Sequence, residues 1–100
     1  MAKHKITISG QNIEVTEALR DHTQAKVDRI ATHLEQITSI DITFKVEKHN
    51  HIAEGQVHAP GHPVHATASS ESMYKSVDLL VDKLVRQITK VKEKMNDHRD

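Results

Sequence analysis

Two periodicities divide this chain. Over residues 39–47, Ile40, Ile42, Phe44 and Val46 alternate with Asp41, Thr43, Lys45 and Glu47, the period of two expected of a strand with one buried and one wet face. Ile6 and Ile8 alternate in the same way over residues 4–9, and Gly10, Gln11 and Asn12 break that strand. Elsewhere the spacing is helical. Leu19, Thr23, Val27, Ile30 and Leu34 predict a helix over about residues 17–36, with Thr16 as its N-cap and Glu17 and Asp21 near its positive end. Met73, Val77, Leu80, Leu84, Ile88, Val91 and Met95 predict a second helix that Ser70 or Ser72 caps.

Between them a polar loop is expected at residues 48–51, then two short strands over 53–59 and 64–69. Pro60, Gly61, His62 and Pro63 join these strands by turn chemistry. Setting Ala59 opposite Val64 pairs Val57 with Ala66 on the inner face and His58 with His65 on the outer one. The small inner residues predict close approach of a helix.

The order is therefore β-α-β-β-β-α. A crossover makes the first two strands parallel neighbours, and the last three form an antiparallel meander. The expected fold class is α+β, a two-layer sandwich of a four-stranded mixed sheet with both helices on one face. The chain length suits a single domain over residues 1–95, with 96–100 as a short polar tail. No apolar run has the length of a membrane span or the form of a signal peptide, so a cytoplasmic location is the expectation.

Charge adds the first functional hint. Lysine and arginine balance aspartate and glutamate at 14 each, so a polyanion partner requires segregated charge rather than a basic whole. Lys83, Arg86, Lys90 and Lys94 are spaced three, four and four, which aligns them on one helix stripe. His22, Lys26, Arg29 and His33 form a similar flank on the first helix, and Lys92 adds charge nearby. Asp82 stands one turn before Arg86 and is placed to neutralise part of the row. If the helices lie side by side, Lys26 and Arg29 extend the row into one patch, for which RNA is the leading partner. With Phe44 and Tyr74 as the only aromatics, base stacking on an aromatic platform is excluded.

Other chemistries fare worse. His58 and His65 are candidates for adventitious metal only, since no spacing supports a closed site and no cofactor is implied. Ser69, Ser70 and Ser72 precede an apolar helical run and read as caps, with no base or orienting group converging on them. No enzyme is expected.

The stretches Ile13-Glu-Val-Thr-Glu-Ala-Leu-Arg20, Ser72-Met-Tyr-Lys-Ser-Val-Asp78 and Asp82-Lys-Leu-Val-Arg-Gln-Ile-Thr-Lys-Val-Lys-Glu-Lys94 together resemble the ribosome hibernation promoting factor family, which includes the ribosome-associated inhibitor, protein Y. The resemblance runs from Ile6 to about Met95. It implies a fold similar to double-stranded RNA-binding domains, and binding to the small ribosomal subunit through its 16S-type RNA in stationary phase or stress. It also implies occupation of the messenger channel at the A and P sites, so that translation is inhibited. Lys26, Arg29, Lys83, Arg86, Lys90 and Lys94 are the residues it implies as ribosomal RNA contacts. Lys92 and Lys75 are weaker transfers that rest on local charge.

Long factors of this family add a dimerising domain and protein Y an extended tail. The chain instead resembles the short form, which acts on 70S and 100S ribosomes with a separate ribosome modulation factor, and neither membrane nor DNA is an expected partner. The histidines around residues 49–65 exceed the family pattern. A general double-stranded RNA-binding module is the alternative within RNA binding, although such a domain carries its lysines near the start of the final helix. A histidine-rich metal-binding protein is the alternative outside it.

Overall fold

A computed structural model describes residues 5–33 and 36–97, with backbone alone for 95–97. The elements are β1 (Lys5–Gln11), α1 (Glu17–Ala31), β2 (Ser39–Glu47), β3 (Asn50–His58), β4 (Val64–Ser70) and α2 (Met73–Asp97). They form a four-stranded sheet in the order β1-β2-β3-β4, with β1 parallel to β2 and the other neighbours antiparallel. This is the expected α+β sandwich.

Period-two alternation sets the two faces of the sheet. Ile8, Ile40, Ile42, Phe44, Ala53, Val57, Val64, Ala66 and Ala68 are buried, in one cluster with Leu19, Val27 and Ile30 of α1 and Val77, Leu80, Leu84 and Ile88 of α2. Gly55 and the alanines make room for α2. A Cβ at Gly55 would lie 2.9 Å from Leu84 Cδ1 and 3.2 Å from Leu80 Cδ2, so the helix touches the sheet backbone itself.

Caps fix the helix starts. Thr16 Oγ1 accepts from Leu19 N at 3.2 Å, as expected of an N-cap. Ser76 N bonds to Ser72 O, which makes Ser72 the residue preceding the first turn of α2. Ser70 Oγ meanwhile accepts from Ser72 N and meets Ser76 Oγ at 2.8 Å. The fully buried Ser76 donates onward to His51 O at 2.6 Å. That chain of hydroxyls ties the start of α2 to β3.

Several expected boundaries move. Helix α1 stops at Ala31, where Thr32 turns the chain and donates its hydroxyl to Arg29 O; Leu34, the last residue of the expected stripe, lies outside the described residues. Strand β1 continues through Gly10 to Gln11, and the break falls at Asn12 with φ 57°. The expected loop at 48–51 is a two-residue turn with Lys48 at φ 57°, because Glu47 already pairs with Asn50. Helix α2 extends to Asp97, so part of the expected tail is helical.

The hairpin register also differs. Val57 pairs with Val64, Gly55 with Ala66, and Gln56 rather than His58 with His65. His58 Nε2 instead meets Asp41 Oδ2 of β2 at 3.0 Å. The expected His58–His65 pair therefore does not form.

Candidate nucleic-acid interface

Core residues dictate where the cations of α2 point. Val77, Leu80, Leu84 and Ile88 face the sheet, and at about 100° per residue the remaining positions divide into two flanks and a solvent side. Tyr74, Asp78 and Val81 lie on the flank toward α1. Lys83, Gln87, Lys90 and Lys94 lie on the flank toward β4. Arg86 and Lys75 project between them into solvent, and both are exposed.

The sequence expectation of one continuous row is therefore met only in part. Arg86 and Arg29 line a single groove between the helices, with His33, Val81, Asp82 and Val85. The two guanidinium residues from different helices do come together there. Lys90 and Lys94 line a second groove, against Pro63 and Val64 of the β3–β4 turn, together with Gln87, Val91 and Glu93. Lys92 is exposed on the α1 flank, beyond the end of α1.

Two of the expected cations are tethered. Lys83 Nζ donates to Thr67 O at 2.8 Å, and one turn later Gln87 Nε2 donates to His65 O at 2.9 Å. Both carbonyls belong to the outermost strand, so α2 covers acceptors that the sheet leaves open. The ammonium keeps two further hydrogens for another partner. Lys26 lies 3.8 Å from Asp78 Oδ1, and His22 Nε2 meets the same oxygen at 3.0 Å. His22 also packs edge-on against Tyr74, with ring centroids 5.1 Å apart.

Asp78 is the residue that sequence reasoning missed. It falls one turn before Asp82, on the side of α2 that faces α1 and between the cations of the two helices, a facing that spacing alone does not signal. Asp82 does not pair with Arg86 among the described residues, contrary to expectation, and stays exposed in the first groove. Exposed Leu79 sits among Lys75, Lys83 and Arg86, one or two turns from each.

Among the described residues no group of three or more histidines and carboxylates converges on one point. His58 is held by Asp41, while His65 lies opposite Gln56.

The fold is a small two-layer α+β sandwich whose two helices expose lysines and arginines on its helical layer. The particular family follows from comparison: residues 6–96 match the family described as Sigma 54 modulation protein / S30EA ribosomal protein, and the chain belongs to it. It is 38% identical over 94 residues to the ribosome hibernation promoting factor of Escherichia coli (strain K12), covering 94% of this chain and 99% of that protein. Identity to the factor of the same name from Azotobacter vinelandii is 43% over 90 residues, covering 90% and 84% of the two chains. Among solved structures, a ribosomal subunit interface protein from Coxiella burnetii superposes with a TM-score of 0.85 at 38% identity, covering 89% and 98% of the chains. The N-terminal domain of Thermus thermophilus Protein Y gives 0.78 at 26% identity, covering 91% and 99%.

Proposed function

We propose that this chain is a ribosome hibernation factor that binds the small ribosomal subunit through the helical layer. The observation that carries the reading is the near end-to-end match to proteins named ribosome hibernation promoting factor, in a chain whose helices bring Arg29 and Arg86 into one groove. In this reading the protein lies in the messenger channel at the A and P sites, in the cytoplasm. Translation stops because the channel is filled. Inactive ribosome dimers follow, together with a ribosome modulation factor.

Affinity comes from phosphate neutralisation, which carries little sequence information. Phe44 is fully buried and Tyr74 is the one exposed aromatic, packed edge-on against His22, so no multi-ring platform for base stacking substitutes for it. Arg29, Arg86, Lys90 and Lys94 form the principal contacts, since no carboxylate among the described residues holds them. Lys26 and Lys83 contribute from tethered positions, and Lys75 and Lys92 from the periphery. Selectivity follows from the spacing of the two grooves across a rigid α2, which only a ribosomal RNA surface of matching shape engages at once.

Arg86→Glu combined with Lys90→Glu removes one contact from each groove. The double variant is expected to keep its circular dichroism spectrum and melting transition while small-subunit cosedimentation drops by at least about tenfold. Undiminished cosedimentation of a folded double variant contradicts the assignment.

A further inference from the structure

We propose that His22 and His33 are proton-dependent contacts of the helical layer, so that polyanion binding by this protein strengthens as pH falls. The inference deepens the proposed ribosome binding and rests on that reading. Imidazole is the side chain whose charge ordinarily changes between about pH 5 and 8. The chain has nine histidines and a formal charge of zero when they are neutral, so each protonation on the helical layer is a large relative change.

Position separates these two histidines from the others. His22 stands between the helices, where it faces Tyr74 and Asp78 of α2 and Lys26 of its own helix. One oxygen, Asp78 Oδ1, serves both His22 and Lys26. A protonated His22 neutralises that carboxylate alone and leaves the Lys26 ammonium to an incoming phosphate. One proton thus adds a unit of charge and frees a second cation.

His33 stands in the groove lined by Arg29, Arg86 and Asp82. A phosphate seated in the groove favours the protonated ring. By linkage, whatever binds better to the protonated form must bind tighter as protons are added. The His58 and His65 side chains lie on the opposite face of the sheet from the helical layer, although the His65 carbonyl meets Gln87 at the edge of the second groove.

The test measures binding of the full chain to purified bacterial small ribosomal subunits at fixed salt and magnesium, at about pH 8 and about pH 6. For the natural sequence the affinity is expected to rise roughly tenfold on acidification, and the log–log salt dependence to steepen by about one to two contacts. His22→Gln with His33→Gln is expected to cut that gain to below about threefold, while His58→Gln with His65→Gln keeps it. Glutamine at 22 retains a donor for Asp78, and circular dichroism checks the fold of each variant at both pH values.

Binding that is equal at both pH values, or a full gain in the folded His22/His33 variant, overturns the proposal and leaves ribosome binding intact. A gain lost equally in the His58/His65 variant also overturns it, because the effect then follows overall charge. Absence of binding at either pH removes the ribosomal reading, and this inference with it.

Discussion

Asp78 concentrates the electrostatics of the helical layer in one carboxylate. It takes His22 at 3.0 Å and Lys26 at 3.8 Å, and it lies between the cations of the two helices. The group is about half exposed, so its pairing contributes only a few tenths of a kcal/mol to stability after solvent screening. In the proposed reading its larger effect falls on binding, where it competes with phosphate for Lys26. Asp78→Asn keeps an acceptor for His22 but releases the lysine and removes a negative charge. Small-subunit affinity near neutral pH is expected to rise about threefold in that variant, as read by sedimentation or fluorescence titration. Unchanged or weaker binding contradicts this role for Asp78. Residue types and spacing located the cations, but not this carboxylate between them. A helix wheel gives directions about one axis, and only the packing of α1 shows which flank of α2 it meets.

At the scale of elements, α2 lies directly on the sheet, with Leu80 and Leu84 packed over Gly55. Gly55→Ala brings a methyl group to 2.9 Å from Leu84 Cδ1 and 3.3 Å from Ile42 Cδ1, so Leu84 must shift to admit it. A loss of about 1–3 kcal/mol is expected, through displacement of Leu84 or of the helix itself. Chemical denaturation measures it, and an unchanged midpoint contradicts the close packing.

The small residues Ala53, Gly55, Ala66 and Ala68 made this contact legible beforehand, as alternation did the order of strands. The β3–β4 register was not legible. A shift of two residues leaves every side chain on its proper face, so the hydrophobic pattern cannot distinguish Val57–Val64 from Val57–Ala66 pairing. The turn at Lys48 was equally silent, since a lysine at φ 57° gives none of the glycine or asparagine signal that marks a two-residue hairpin. Helix α1 stopped early for a similar reason. Its apolar spacing continues to Ile30 and formally on to Leu34, but Thr32 and His33 bond to carbonyls three residues back and close the last turn.

At the scale of the molecule, the helical layer is apolar within and charged without, its lysines and arginines interleaved with Asp78, Asp82 and Glu93, and the open face of the sheet carries charges and hydroxyls such as Asp41, Thr43, Glu54 and Thr67. The sequence disclosed that α2 bears a row of positive charge. It did not disclose that the row lies mostly on the flank away from α1, so that Arg86 alone bridges toward Arg29 while Lys90 and Lys94 serve a separate groove. In the proposed reading the two grooves across one helix each meet phosphate, which demands an RNA surface with phosphates at a fixed separation.

The most direct measurement is sedimentation of the purified protein with separated small and large ribosomal subunits over a salt series. The proposed reading predicts cosedimentation with the small subunit alone, and four principal phosphate contacts predict an affinity that falls by roughly three powers of the salt concentration. Equal recovery with both subunits, or an association that salt leaves unmoved, contradicts the account.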